Sequence, residues 1–591
     1  MIKKIQEIIF QEVSNILREH NIEKEILKEQ IKVEKIQNID FGDYSTNILM
    51  VLKEYPNLKE WLIDKLDQNN YIKNHIKKIE YKEPGFLNFY FTTEVLIDNL
   101  EKIVDFNIDN FKIDNPKKFL IEHTSPNTNK ALHIGHLRNS IFAMSVVKIL
   151  KTLNHTVLTD CLFNDRGVHI CKAMFGYLKY NGEKSVEELL NEWFKNSEKW
   201  PQPEDKEPQD IFVGKFYLLG VKQEEENKEE IQWLLQEWEN GNDKVMKLWE
   251  KLNNWFYNGF YTVFKTIGSY SDHYWKESEF YKQGKDLIQQ GLSKGVFVKL
   301  DDGAILTNLE KYNLTDTIVQ RSDGTAMYFT QDLYLTKMKT EMFPSDIYIW
   351  VVGPEQKLHM QQVFAVCEQL NIGDISKFKH LSYGAVCNKD GSKMSSRSGE
   401  VLNINELIDA VKNMIVGKIS EEYKSLGGFE ENERKEIIEK IAIGAIKYSI
   451  LRLERDQDLK FDMNAAVDLK GNGSPYIQYT YARCNSILEK IKEITINNTW
   501  KIEEITQEEI ILLRDLIFLN ETVEKSGNTL SPHLIANYIF ELARDFSNFY
   551  EKNRIMDATV NQKLKIDLTQ AVANVLKFGL ELLGIEVVNK L

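Results

Sequence analysis

The fold that the sequence predicts is a parallel α/β nucleotide-binding sheet, split along the chain and flanked by a small α/β domain and an all-helical region. Three observations predict it. Residues 118–163 read as strand, polar loop, amphipathic helix and strand, which is a βαβ unit. Strand-like runs return only after a long acidic helical stretch, and from about Asn405 apolar residues recur with period 3.6 and proline is almost absent.

At 591 residues the chain is too long for one core, so three or four domains are expected. Helical segments followed by strand-like runs at 76–81 and 85–91 suggest an N-terminal α/β domain over residues 1–112. The strand 118–122, the helix 135–153 and the strand 156–163 then open the nucleotide-binding domain, taken as 113–404. Residues from about 175 to 260 hold six of the ten tryptophans, between Trp193 and Trp255, at spacings that suit helix packing. They read as a helical insertion. Strand-like runs at 296–300 and 347–352, before a helix from about Gln356, are where the sheet is expected to resume. Residues 405–465 are expected to form a helical stem and 466–591 an all-α domain.

Hydrophobic residues at 42% and charged residues at 28% describe an ordinary folded protein. No apolar run approaches the length of a membrane span, and no signal peptide is recognised, so no membrane association is expected. Five scattered cysteines without a CxxC pair argue against a structural metal and a disulfide framework. A cytoplasmic location is expected. With a net charge of −14, any nucleic acid must be held by local basic surfaces and shape.

The string Ser125-Pro-Asn-Thr-Asn-Lys-Ala-Leu-His133-Ile-Gly-His136-Leu-Arg-Asn lies between a strand and a helix, at the sheet edge where ligands bind. A helix start offers unpaired N–H groups to phosphate, Gly135 lets a nucleotide approach the backbone, and His133 and His136 share a face from which both can donate to an α-phosphate. This spacing resembles the signature of class I aminoacyl-tRNA synthetases, and the extended string resembles the arginyl family. Cytidylyltransferases with a similar motif are shorter and lack a helical C-terminal third. The resemblance implies a Rossmann-type class I synthetase catalytic domain.

A second string, Gly391-Ser-Lys393-Met-Ser395-Ser-Arg397-Ser-Gly399, resembles the KMSKS loop of the same class. Its second lysine is replaced by Ser396, and the resemblance implies that Lys130, upstream of the histidines, supplies that charge. Lys393, Ser395 and His359 are expected at ATP. Recognition of a guanidinium needs carboxylates and an aromatic face. The segment Asp323-Gly-Thr-Ala-Met-Tyr328-Phe-Thr-Gln-Asp332 resembles the family's arginine pocket, which implies that Tyr328 and Asp332 contact the side chain, with Glu122, Ser125, Asn127 and Gln356 around the rest of the amino acid.

Residues 41–47 and the run Gly85-Phe-Leu-Asn88-Phe resemble the family's N-terminal domain, which implies a tRNA-elbow contact at Asn88. Tyr476, Tyr479 and Arg483, after the loop Gly471-Asn-Gly-Ser-Pro, and Tyr550 resemble its anticodon-binding domain. The expected reaction is activation of L-arginine with ATP and magnesium, then transfer to the 2′-hydroxyl of the terminal adenosine of tRNA(Arg), by a monomer with no structural metal of its own. An RNA-binding paralogue without catalysis, a small-substrate nucleotidyltransferase and a synthetase for another amino acid are the alternatives. Intact His133, His136, Lys130 and Lys393 argue against the first. The helical third argues against the second, and Tyr328 with Asp332 against the last.

Overall fold

The computed structural model describes residues 1–36, 38–322, 328–387, 403–418, 428–492 and 501–591, and of Ile39, Lys285 and Tyr328 the backbone only. The chain opens with the helix Ile2–Glu19, whose Ile5, Ile8, Ile9, Val13 and Ile16 form one buried stripe at helical spacing. Four antiparallel strands follow, β1 (Val33–Lys35), β2 (Tyr44–Thr46), β3 (Ile76–Lys82) and β4 (Phe86–Phe91), in the order β1-β2-β4-β3. The 76–81 and 85–91 runs are β3 and β4. β1 and β2 are three residues each, too short for alternation to register in the sequence.

The central sheet contains β5 (Lys118–Glu122), β6 (Thr156–Phe163) and β7 (His273–Lys276). The next three strands, β8 (Phe297–Lys299), β9 (Ile305–Thr307) and β10 (Ile318–Gln320), form a separate antiparallel sheet. The 296–300 run therefore does not rejoin the nucleotide-binding sheet. Its three paired residues are closed off by the tight turn to β9, a local pairing that a period-two reading cannot assign to one sheet or another. The central sheet resumes with β11 (Ile347–Val351) and β12 (Phe378–Leu381), giving five parallel strands in the order β12-β11-β5-β6-β7. The order reverses beside β5. A crevice opens there at the carboxyl ends of β5 and β11, as at the ligand sites of doubly wound sheets.

The helix Ile134–Thr152 starts in this crevice and is buried on almost every face. Its other end reaches the C-terminal helices, where the Ser145 hydroxyl donates to the Leu582 carbonyl at 3.0 Å. Between β6 and β7 stand the helices Val168–Lys179, Val186–Lys195, Gln209–Lys222, Lys228–Glu239 and Asp243–Ile267. Trp193, Trp238 and Trp255 are buried among them, in keeping with the packing role read from their spacing.

A short parallel pair, β13 (Val386–Cys387) with β14 (Leu459–Lys460), ties the end of the α/β region to the chain that follows the helix Glu431–Leu451. The C-terminal helices Ser474–Ile491, Gln507–Ile517, Leu519–Thr529, His533–Lys552 and Gln562–Leu582 pack together. The N-terminal unit docks on them through the helix Thr93–Val104, and an ion pair buries Asp43 against Arg514. Among the described residues no helix is long and apolar enough to cross a membrane, and no cluster of three metal-ligating side chains occurs.

Candidate active site

The loop from β5 into the helix Ile134–Thr152 is strained where it leaves the strand. Thr124 and Ser125 are consecutive non-glycine residues with φ of 69° and 37°, a conformation that costs of order 1–3 kcal/mol each and persists only where neighbours enforce it. Asn139 enforces the first: its Oδ1 accepts from the Thr124 N–H at 2.7 Å while its Nδ2 donates to the Val351 carbonyl at 2.6 Å, joining the ends of β5 and β11 across the crevice. The Ser125 hydroxyl is held by Glu122 and Leu162, donating to Glu122 Oε1 at 2.7 Å and accepting the Leu162 N–H at 3.1 Å.

His133 caps the helix. Its Nδ1 accepts from the Gly135 N–H at 3.1 Å, and His136 Nδ1 accepts from the His133 N–H at 3.3 Å, so the rings lie 4.0 Å apart. A neutral imidazole that accepts at Nδ1 carries its proton on Nε2, so both rings are fixed as Nε2–H donors. A Cβ on residue 135 would lie 3.0 Å from the His133 ring, so glycine is needed for that ring to fold back, as well as for ligand approach. Lys130 lies close enough to lower the pKa of both histidines, reinforcing the larger effect of burial. The structure thus brings Lys130, His133, Gly135 and His136 together.

Beneath them is an ion cluster that sequence alone did not reveal. Lys339, on the helix Tyr328–Met342, is buried and pairs with Glu122 and with Asp160, the latter at 2.7 Å, while the Trp275 indole N–H donates to Asp160 at 2.7 Å. Burial disfavours the ammonium, but the two carboxylates more than offset it and hold Lys339 above its ordinary value. Burial pushes Asp160 up, against the pull of Lys339. Glu122 was expected to face the amino acid. Both of its oxygens are engaged internally, by Lys339 and Ser125, because a carboxylate buried at the strand end requires a counter-charge.

Asp332 lies about two turns before Lys339 along the same helix, and His359 comes to it from the helix Lys357–Leu370, with Nε2 at 2.6 Å from Asp332 Oδ2. His359 was expected at ATP; the contact found is with Asp332, the carboxylate expected at the arginine side chain. Glu277, just past β7, is only 2% exposed and its Oε2 has no partner among the described residues. Burial, with Asp165 and Asp332 nearby, pushes its carboxyl up to about 8, against the pull of Arg166. Arg166 itself pairs with Glu239 and lies 4.1 Å from the Tyr281 ring centroid. Asn127 and Gln356 are exposed at the rim. Tyr328 starts its helix, and Lys393 and Ser395 lie outside the described residues.

The flanks of the 388–402 segment are nevertheless fixed. Asn403 bridges to His133, Ile404 N–H donates to the Leu132 carbonyl at 3.0 Å, and Cys387 ends β13. Arg138 secures β13 by donating to the carbonyls of Ala385, Arg455 and Gln457 at 3.0, 3.2 and 2.6 Å. Only a guanidinium offers enough donors in a fixed plane to hold three carbonyls at once.

Three family models match the chain in succession: the arginyl tRNA synthetase N-terminal domain over residues 3–91, the catalytic domain of class I (R) tRNA synthetases over 100–463, and the DALR anticodon-binding domain over 477–591. The chain belongs to the class I arginyl-tRNA synthetases. Arginine–tRNA ligase from Borreliella afzelii is 34% identical over 597 residues, covering 98% of this chain and 96% of the relative. That from Flavobacterium psychrophilum is 34% identical over 532 residues, covering 88% and 87%. The arginyl-tRNA synthetase structures from Thermus thermophilus and Plasmodium falciparum share the fold, with TM-scores of 0.79 and 0.76, each at 22% identity, covering all of this chain and 100% and 99% of theirs. The enzyme therefore charges tRNA with arginine, and ATP, arginine and tRNA are its substrates.

The residues expected at tRNA divide into two groups. On the helices Ser474–Ile491 and His533–Lys552, Arg483 lies 4.8 Å from the Tyr479 ring centroid and 5.0 Å from that of Tyr550, which is exposed. Tyr476 packs on Phe540 and its hydroxyl donates to Ser547 at 2.9 Å. Asn88 departs from expectation: it is 4% exposed and its Oδ1 accepts from the Ser45 hydroxyl at 2.7 Å, so it secures β4 to β2 instead of facing solvent. Of the groups that sequence reasoning missed, Arg138 and Asn139 stand inside the quoted HLRN string. Glu277 and Lys339 had no signal, since nothing separates Lys339 from the surface lysine two residues before it.

Proposed function

We propose that the carboxyl edge of the five-stranded sheet forms arginyl-adenylate from arginine and magnesium–ATP, then transfers the arginyl group to the 2′-hydroxyl of the terminal adenosine. An oxygen of the arginine carboxylate attacks the α-phosphorus, the bond to the oxygen bridging the β-phosphate breaks, and pyrophosphate leaves with that electron pair. Donors aimed at the charge that grows in this step lower its barrier. His133 and His136 donate through Nε2–H to the α-phosphate, Gly135 keeps the helix start accessible, and Lys130, Lys393 and Ser395 act on the departing phosphates. The adenosine 2′-oxygen then attacks the adenylate carbonyl, and AMP leaves.

Tyr328, Asp332 and Glu277 receive the guanidinium, Asn127 and Gln356 take the polar groups at the other end, and Glu122 with Ser125 form the floor through the Lys339 cluster. Tyr479, Arg483 and Tyr550 form a platform for anticodon bases, since rings and a guanidinium plane suit splayed nucleotides. Tyr476 supports that platform. The N-terminal unit, residues 1–112, contacts the tRNA body, 113–404 carries the chemistry, 405–465 is the stem and 466–591 reads the anticodon. The separate cysteines support a reducing cytoplasm, and a single chain that carries every proposed group supports a monomer.

The observation that carries this reading is the pair of Nδ1 hydrogen bonds that leaves two Nε2–H donors on one helix start. ATP–pyrophosphate exchange with each standard amino acid, with and without tRNA, tests it. Exchange with arginine alone, and only with tRNA present, is the expected result. Exchange with another amino acid would overturn the pocket, and no exchange would overturn the catalytic assignment.

A further inference from the structure

The His359–Asp332 contact spans two helices and is built on both sides. On the helix Tyr328–Met342, Phe329 and Asp332 are three residues apart and share a face. The buried Phe329 ring meets the His359 ring edge-on at 5.7 Å, and Asp332 Oδ2 takes the His359 Nε2 at 2.6 Å. The imidazole is thus held by an aromatic edge and a carboxylate one helical turn apart. That leaves Asp332 Oδ1 without a hydrogen-bond donor among the described residues, and Glu277, whose Oε2 has no hydrogen-bond partner among them, lies near enough to Asp332 for the two carboxyl groups to interact.

We propose that His359 is a positioning residue for arginine recognition, fixing the Asp332 carboxylate so that its free oxygen, with Glu277, meets the incoming guanidinium. The inference rests on the assignment of Asp332 to the arginine pocket. An aspartate on a partly exposed helix face samples several rotamers, and ordering it only when substrate arrives weakens binding. His359 orders it beforehand. Burial disfavours the imidazolium, yet the hydrogen bond and charge of Asp332 outweigh that and keep the His359 pKa above its ordinary value. The bond is charge-assisted whenever the imidazole is protonated. With Oδ2 engaged, Asp332 offers the guanidinium one oxygen, and the fork's other donors require a second acceptor. Glu277 is the carboxylate near enough to serve.

The test uses the full-length enzyme with tRNA, measuring arginine and ATP KM values in pyrophosphate exchange for His359→Ala, His359→Gln and Asp332→Ala. His359→Ala should raise the arginine KM about tenfold, the value of one hydrogen bond to a charged group, and leave the ATP KM unchanged. His359→Gln should recover most of the loss, because its amide N–H reaches the place of Nε2. An ATP KM that rises while the arginine KM stays, or no change in either, overturns the inference. If Asp332→Ala raises the arginine KM and His359→Ala does not, the inference alone fails. If Asp332→Ala also leaves it unchanged, the pocket assignment beneath it fails. Melting temperatures of all three variants separate loss of fold from loss of binding.

Discussion

Protonating His133 or His136 would break the bond that each Nδ1 accepts, so the rings remain neutral donors unless the helix start is disturbed. Burial first, then Lys130, pull His133 down to about 4, and burial, His133 and Lys130 hold His136 well below its ordinary value. Replacing His136 by alanine should lower the exchange rate about 10²-fold with little change in ATP KM, the usual cost of one donor aimed at transition-state charge. Rapid-quench measurement of adenylate formation checks it. Glu277 behaves in the opposite way. Its carboxyl is held neutral up to about 8, yet only the carboxylate pairs with a guanidinium, so binding must expel a proton below that pH. Arginine affinity should therefore rise roughly tenfold per pH unit on approaching about 8 and then level off, and Glu277→Gln should weaken binding and flatten the profile. Calorimetric titration across that range decides it. The histidines were legible because their chemistry is written in contiguous residues. Glu122 and Lys339 meet across a sequence separation of 217, and no local pattern announces such a pair.

Between elements, the helices Val168–Lys179 and Gln209–Lys222 meet backbone to backbone. A Cβ on Gly176 would stand 2.0 Å from the Phe216 carbonyl oxygen, and one on Gly220 2.1 Å from that of Lys172. Backbone cannot retreat from such a contact unless the helices part. Gly176→Ala should cost about 1–3 kcal/mol, read from urea melts. It should also slow adenylate formation, because the second helix passes at Gly214 against the Lys130–Ala131 backbone beside His133, where a Cβ would stand 3.8 Å from the Ala131 nitrogen, and that contact shifts with the helix. Unchanged activity in a destabilised variant would separate the insertion from the histidine loop. The strands at 118–122 and 156–163 were readable because a polar loop and an amphipathic helix stand between them in a βαβ pattern. The three-residue strands were not, since β8 takes its sheet from its turn to β9 and β13 takes its place from Arg138, neither of which is a property of the strand itself.

Across the whole molecule, the N-terminal unit is joined to the anticodon-side helices by a seam with a charged centre. Asp43 accepts from Arg514 and, at 2.7 Å, from the Phe91 N–H, while Arg514 also donates to the Gly42 carbonyl and Tyr44 donates to Glu521. Around this centre Phe578 packs on Phe106 and Phe111 at 5.0 and 4.6 Å, and Asn574 donates to the carbonyls of Ile103 and Val104. The sequence disclosed both units through their separate patterns but not their seam, because partners 471 residues apart leave no periodic trace. Removing one member of a buried ion pair leaves an uncompensated charge and costs about 3–5 kcal/mol, far more than the pair is worth against apolar replacements. Arg514→Met should therefore loosen the N-terminal unit, exposing the chain near residue 112 to limited proteolysis and splitting the calorimetric transition in two. The double variant Asp43→Asn with Arg514→Met should recover much of that loss, since no buried charge remains unpaired. Losses that simply add would mean that the two side chains act independently, and the apolar contacts with Phe578 alone would then hold the N-terminal unit in place.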